Sequence, residues 1–464
     1  MKLPELFVES TKKLLGEQAE ALFAALDQVP PVAVRMNPFK ANKQVKLNAA
    51  GPVPWSSNGH YLHERPAFTF DPLLHAGCYY VQEASSMFVE QAFRTVLAML
   101  EEPNPRVLDL CGAPGGKSTL LASLLPSKGL LVANELIRTR ANILAENLIK
   151  WGLPNGIVTQ SDSSAIGKLT DCFDVVLADV PCSGEGMFRK DPESMNEWSP
   201  DNVAICAKRQ KDIVQNIWPA LKAGGYLIYS TCTYNLAENE ENVSWLCETL
   251  GGSLCPIPSV NEWGIAGAQG EFANRKDFPV YRFFPHLTVG EGFFLALIRK
   301  DEVEVERFNT VRNTKKKTFG EKMPGFIQGW LLDEDRFDYR TNRVGQVEAF
   351  PKLHLDLLHW LEMHLKIVHA GIVMGEMKGK DVVPDASLAL SSALNVESVQ
   401  TFELTLVQAI DYLRREALVL DDSCPRGWVL MCFEGSPLGW IKNLGNRANN
   451  NYPNEWRIRS GNPY

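Results

Sequence analysis

The chain has 464 residues, enough for two or three domains rather than a single core. Hydrophobic residues make up 45% and charged residues 22%, a globular balance that argues against global disorder. A formal net charge of −8 excludes binding to nucleic acid by bulk positive charge, so an RNA or DNA partner has to be gripped by local basic patches.

The start, MKLPELFVES, lacks the basic, apolar and small-residue order of a secretory leader. No apolar run approaches the roughly 18 residues needed to span a bilayer. A soluble, cytoplasmic protein with no membrane partner is expected. Residues 3–26 carry leucines and phenylalanines at helical spacing up to Pro30 and Pro31, and a turn-rich, β-like stretch follows, so 1–75 reads as a small N-terminal α+β region, expected to bind RNA. From 76 the texture alternates. Candidate strands are Arg106–Leu110, Leu130–Glu135, Gly156–Gln160, Asp174–Asp179 and Tyr226–Ser230, with helical stretches at 117–125, 138–151 and 202–222. Residues 281–299 read as a turn and a closing strand pair on the sheet edge. Short buried strands alternating with helices predict a doubly wound, Rossmann-like α/β domain over 76–300. Residues 301–322 read as a basic linker: between 311 and 322, Arg312, Lys315, Lys316, Lys317 and Lys322 face only Glu321. A small mixed unit over 323–380 and a compact β-rich unit over 381–464 complete the division.

The sequence DLCGAPGGKS follows the first of these strands and opens a helix. A phosphate loop needs a glycine where Cys111 stands, and G-x-G-x-x-G is absent, so nucleotide-triphosphate and nicotinamide readings fail. The pattern fits the nucleoside site of S-adenosylmethionine-dependent methyltransferases. Asp109 ends the strand, and the turn Cys111, Gly112, Ala113, Pro114, Gly115, Gly116 with Lys117 lets backbone approach a ligand. Glu135, 19 residues after Gly116, has the spacing of a ribose-binding acid, roughly 20 in such folds. Asp162, after the third strand, is placed to meet the adenine amino group. Three acids at the carboxyl ends of consecutive strands share the edge where such sheets bind ligands.

DVPCSGEG (179–186) follows the fourth strand and YSTCTY (229–234) the fifth, each placing a cysteine at that edge. With RMN at 35–37 and YVQEASSM at 80–87, residues 30–300 resemble the Nol1, Nop2 and Sun family of RNA cytosine-5 methyltransferases. The chemistry explains the thiol. Carbon 5 of cytosine is a poor nucleophile until sulfur adds to carbon 6, after which carbon 5 is enamine-like and attacks a sulfonium methyl. The resemblance implies that Cys232 is the nucleophile, that Cys182 assists release of the methylated RNA, and that Asp179 contacts the cytosine near nitrogen 3 and the cofactor. Lys117 would help polarise the site. In DNA cytosine-5 enzymes the Pro-Cys cysteine attacks instead, which leaves a swapped assignment open. Arg209-Gln210 is expected to brace the active-site loops.

Residues 437–459 hold Lys442, Arg447, Arg457 and Arg459 against Glu455, interleaved with Trp440, Tyr452 and Trp456, a mix suited to phosphate contact and base stacking. With GKDVVPDASLALS (379–391), this ending resembles the PUA-like tail of the bacterial F-type subtype. That resemblance implies 16S ribosomal RNA near the decoding region as partner, with transfer RNA and a non-catalytic ribosome-assembly role as the rival readings. Four histidines at 354, 359, 364 and 369 repeat every five residues, a spacing that turns about 140° per step on a helix, so no metal is expected. Ten cysteines without any C-x-x-C spacing argue equally against a structural zinc. Nothing suggests an obligate dimer, and a monomer is expected.

Overall fold

In the computed structural model, which describes residues 2–40, 45–302, 327–342, 344–379 and 381–461, the N-terminal apolar stretch forms two helices. Glu5–Leu15 ends at Gly16, whose φ of +57° suits glycine, and Gln18–Leu26 follows. Phe7, Leu22 and Leu26 bury against Phe188, Trp198 and Phe284 of the next domain.

Four short strands, β1 (Val32–Met36), β2 (Ala49–Pro52), β3 (Gly59–Leu62) and β4 (Tyr79–Val81), make a sheet of order β2-β3-β1-β4. β4 lies beyond the boundary expected at 75, so the N-terminal unit runs past it. β1 carries the RMN motif. Arg35 is buried without a carboxylate within ion-pair reach among the described residues. Its guanidinium donates to Gln82 Oε1, Thr119 Oγ1, Ser123 Oγ and the carbonyl of Gly116, and covers the Trp151 ring at 4.5 Å. Burial lowers its pKa to about 9. Asn37 Nδ2 donates to the carbonyls of Gly77 and Trp151. The motif thus fastens the first unit to the helix Gly116–Leu124.

The central sheet contains five parallel strands: β5 (Arg106–Asp109), β6 (Leu130–Asn134), β7 (Gly156–Thr159), β8 (Phe173–Asp179) and β9 (Leu221–Thr231). Their spatial order is β9-β8-β5-β6-β7, a doubly wound arrangement whose direction of growth reverses between β5 and β8. β6 is buried along its whole length, as a strand covered by helices on both faces must be. On the β9 side come β12 (Phe293–Lys300), antiparallel, and then β10 (Gly252–Leu254); β11 (Tyr281–Phe283) pairs with β12. This is the closing pair expected from 281–299.

Residues 303–326 lie outside the described residues, and with them nearly all of the basic linker read at 301–322. Beyond them, β13 (Phe337–Thr341) and β14 (Gln346–Pro351) begin a new sheet, but β15 (Ile367–Ala370) adds antiparallel to β7. The unit expected over 323–380 therefore supplies a strand of the central sheet. β16 (Ile372–Lys378) and β17 (Asp381–Pro384) then form a hairpin across the boundary expected at 380/381. A last sheet, β18 (Thr401–Glu403), β19 (Gly427–Phe433), β20 (Ser436–Asn443) and β21 (Ala448–Asn450), carries the helix Leu406–Arg414, which starts with a Thr405–Gln408 capping box.

This terminal unit docks on the first one: Val34, Leu73 and Tyr79 share a core with Tyr412, Val429 and Tyr452. The structure overturns the reading of the tail aromatics as a stacking platform. Trp440 and Tyr452 are 2% and 0% exposed, and Trp440 Nε1 donates to the carbonyl of Asp385. Trp456 is half-buried against Tyr452. Arg447, Arg457 and Arg459 remain exposed.

Candidate active site

β5 ends at Asp109 and the chain turns at once into the helix Gly116–Leu124. The turn is built of glycine for steric reasons. A Cβ on Gly112 would stand 2.8 Å from Ser118 Oγ, and Gly115 has a φ of +122°. Asp109 is fully buried; its Oδ2 accepts from Ser118 Oγ at 2.6 Å, while Oδ1 has no partner. Burial raises its pKa to about 7, against the opposing pull of the Ser118 bond. A buried carboxylate oxygen left over beside a glycine turn fits the amino-acid end of S-adenosylmethionine. Cys111, on the same turn, is raised above the ordinary thiol range by burial and by the neighbouring acids, which makes it a poor nucleophile.

Glu135 follows β6 directly and is buried, its Oε1 accepting from the Ile137 amide at 3.0 Å and its Oε2 lying 3.4 Å from Arg140 Nη2. Leu136 and Ile137 beside it are exposed and form an apolar shelf. Asp162 caps the short helix Ser163–Gly167 through the Ala165 amide and is exposed. Sequence reading missed Asn134, whose side chain bonds the Leu110 carbonyl, the Ser161 carbonyl and amide, and Thr159 Oγ1. It welds the ends of three strands, and its place immediately before Glu135 was the available signal.

Asp179 ends β8, across the switch point. Lys117 Nζ donates to its Oδ2 at 2.8 Å, and Ser230 Oγ to its Oδ1 at 2.7 Å. Burial, the largest single influence, works against charge on Lys117, but Asp179 together with Cys232 and Asp109 turns the balance and the pKa ends above the usual value. Lys117 is therefore an ammonium, standing 5.4 Å over the Phe293 ring.

The two cysteines meet at this edge. Cys182 Sγ lies 3.1 Å from Cys232 Sγ and accepts from the Cys232 amide at 3.3 Å. Both are half-buried, so neither is sealed in hydrocarbon. The Cys182 thiol is pushed well above its usual pKa, first by its hydrogen bond to Cys232 and then by burial. Of the expected brace, only Gln210 turns inward. Its Nε2 donates to the Pro181 carbonyl and to Glu238, and its Oε1 accepts from Tyr229 and Asn242. Arg209, one step of about 100° round the helix, faces solvent.

The histidine series divides between elements. His359 and His364 lie on the helix Leu355–His364, His354 precedes it, and His369 is on β15. Among the described residues no group of three His, Cys, Asp or Glu side chains is arranged to hold a metal ion, and no helix is long and apolar enough to cross a membrane.

Comparison with known proteins matches three parts of the chain. Residues 95–299 match a family model described as 16S rRNA methyltransferase RsmB/F, residues 3–84 the N-terminal domain of 16S rRNA methyltransferase RsmF, and residues 399–458 the methyltransferase RsmF PUA domain. Ribosomal RNA small subunit methyltransferase F of Aliivibrio fischeri (strain MJ11) is 31% identical over 489 residues, covering 99% of this chain and 98% of that one. The protein of the same name from Vibrio cholerae is 31% identical, covering 98% of each. Among solved structures, a methyltransferase homolog from Pyrococcus horikoshii shares 29% identity at a TM-score of 0.54, over 64% of this chain and 95% of its own. NSun6 from the same organism, solved with SFG, is 22% identical at a TM-score of 0.54, over 65% and 99%, and agrees in fold.

Proposed function

The chain belongs to the RsmB/F family of 16S rRNA methyltransferases, with S-adenosylmethionine as cofactor, and on that premise we propose that it methylates carbon 5 of a cytosine in 16S rRNA near the decoding region through a covalent Cys232 adduct. The observation that carries this reading is the approach of two cysteine sulfurs to 3.1 Å beside a Lys117–Asp179 ion pair, on the sheet edge that also holds Asp109 and Glu135. When bound, S-adenosylmethionine supplies an electrophilic methyl group. Asp109 and Glu135 are the residues assigned to its amino-acid and ribose ends, and Asp162 to its adenine.

The sulfur of Cys232 forms a bond to carbon 6, and the electron pair of the 5,6 double bond becomes available at carbon 5. The two sulfurs share a hydrogen bond, and Lys117 interacts electrostatically with Cys232. The choice of Cys232 over Cys182 as nucleophile rests on the resemblance of its Thr-Cys motif to that of the family. Asp179, held by Lys117 and Ser230, presents a carboxyl group to the nitrogen 3 side of the ring, where hydrogen bonding stabilises the adduct. After carbon 5 gains its methyl, a water molecule takes the carbon 5 proton, the carbon–hydrogen electron pair re-forms the 5,6 double bond, and the sulfur–carbon 6 bond breaks with its electrons returning to Cys232; Cys182 assists that release. Unstacking the base costs a few kcal/mol, which contacts from the exposed arginines of the terminal unit help offset. The protein acts as a cytoplasmic monomer in this reading. Bisulfite mapping of total RNA from cells with and without the gene tests it: one 16S cytosine should lose its protection, and an unchanged 16S map sinks the assignment.

A further inference from the structure

We propose that Glu185 and Glu238 are positioning residues that tie the two cysteine loops together crosswise and so hold Cys182 Sγ against Cys232 Sγ. The inference rests on the reading of Cys232 as nucleophile and Cys182 as its partner in release, and assigns two buried acids which that chemistry leaves unused.

Neither loop is held by secondary structure. Residues 180–184 follow β8 and residues 232–239 follow β9, before the helix Glu240–Leu250 begins. Glu185, three residues past Cys182, is 2% exposed. Its Oε2 accepts from Thr233 Oγ1 at 2.7 Å, the Tyr234 amide at 2.7 Å and the Asn235 amide at 2.9 Å, and its Oε1 from Trp198 Nε1 at 2.9 Å. Glu238, six residues past Cys232, is 0% exposed. It accepts from the Ser183 amide at 3.0 Å, Gln210 Nε2 at 2.6 Å and Asn235 Nδ2 at 2.8 Å. Each loop therefore places a carboxylate on the backbone amides of the other. Between them Ser183 Oγ and Thr233 Oγ1 are 2.9 Å apart, and the Gly186 amide donates to the Cys232 carbonyl at 2.9 Å.

A carboxylate is the side chain that can gather three donors on one oxygen with charge-assisted strength. Burying one is costly unless its acceptors are filled, and apolar residues would hold two loops together as well. What apolar packing does not supply is direction. The amides of Ser183, Tyr234 and Asn235 flank the two cysteines in sequence, so fixing those amides fixes the backbone from which each sulfur hangs. Neither acid is bonded to a cysteine sulfur, so both act through the loops.

The test uses the full chain and the variants Glu185→Ala, Glu185→Asp, Glu185→Gln, Glu238→Ala and Glu238→Gln. The first readout is methyl transfer to rRNA, as kcat and KM. The second needs no RNA: diamide oxidises a nearby thiol pair, two thiol protons and two electrons passing to its N=N bond to give a hydrazine and a 182–232 disulfide, which peptide mass mapping identifies. A misplacement of about 1 Å at a reacting centre can cost about 100-fold. The Ala variants are expected to lower kcat by about that factor, with KM for RNA and cofactor affinity nearly unchanged, and to slow the 182–232 disulfide in parallel. Gln, which keeps one accepting oxygen but turns an NH2 toward a donor, is expected to fall between Ala and wild type in both. Should an Ala variant fail to fold, Glu185→Asp carries the test: its charge remains but its oxygens withdraw by one methylene, so both rates should fall. Disulfide formation and kcat at wild-type rates in the Ala variants, or in Glu185→Asp, overturn the proposal. The disulfide comparison stands even where the methylation reading fails, so the two can be told apart.

Discussion

Cys182 Sγ and Cys232 Sγ lie 3.1 Å apart although 50 residues separate them and they follow different strands. The two sulfurs are within hydrogen-bonding reach of each other, and the proposed mechanism gives them different tasks. Cys232→Ala is expected to abolish methyl transfer while leaving cofactor affinity within a few-fold, since Asp109 and Glu135 sit on other loops. Cys182→Ala is expected to accumulate an RNA–protein adduct that survives denaturation, visible as a shifted band on a gel. Turnover by the first variant, or no shifted band from the second, reverses the assignment.

Asp179 accepts from both Lys117 and Ser230. Asp179→Asn keeps the shape but leaves the Lys117 ammonium without its counter-charge. A loss of roughly 10²–10⁴-fold in kcat is expected, the range for removing a proton-handling group. Single-turnover rates at saturating cofactor measure it, and a loss confined to KM would place Asp179 in binding alone.

The pH dependence follows from Asp109. Burial pushes its pKa in the folded protein up to about 7, above the ordinary carboxyl value of 3.8. Between those values the folded chain holds a proton that the unfolded chain has released. Stability therefore falls as pH rises through this window and levels off above about 7, by an amount on the order of 4 kcal/mol. Asp109→Asn should flatten that part of the Tm–pH curve. Cofactor affinity should show the opposite trend, strengthening up to about pH 7 as the carboxylate becomes available, and a pH-independent Kd argues against Asp109 as a ligand.

In the terminal unit, Trp440 is core and Arg447 is surface. Trp440→Ala is expected to cost about 3–5 kcal/mol of stability, the usual range for a buried tryptophan, read as a lower melting transition. Arg447→Ala should leave melting unchanged and weaken RNA binding, lowering the salt slope by about 1 if it contacts a phosphate. Equal RNA affinity for Arg447→Ala and the wild type would remove this edge from the RNA surface.

The shared placement of the candidate site residues was legible in the sequence. Asp109, Glu135, Asp179, Cys182 and Cys232 each stand at a strand end, and a parallel sheet of this type brings strand ends to one edge whatever the intervening loops do. Glu185 and Glu238 were on view within PCSGEG and the stretch after YSTCTY. Their role was not, because a glutamate in a loop reads as solvated until the fold shows it buried. Arg35 escaped for the same reason. Its motif could be seen, but not that its guanidinium reaches the helix behind the cofactor turn.

The linear pattern determined the alternation of buried strands and helices, the glycine turn after Asp109 and the two thiols, because these are local matters of spacing and backbone freedom. Tertiary packing decided the rest. Residues 367–370 extend the catalytic sheet because the edge of β7 offers unpaired backbone groups that a distant segment can fill. Tyr452 became core rather than a nucleic-acid contact because the first unit presents an apolar face that covers it, and Trp440 because Ile372, Met374 and Leu388 pack against it. Spacing along a chain cannot say which side of an aromatic ring will meet water. That depends on what another part of the molecule brings against it.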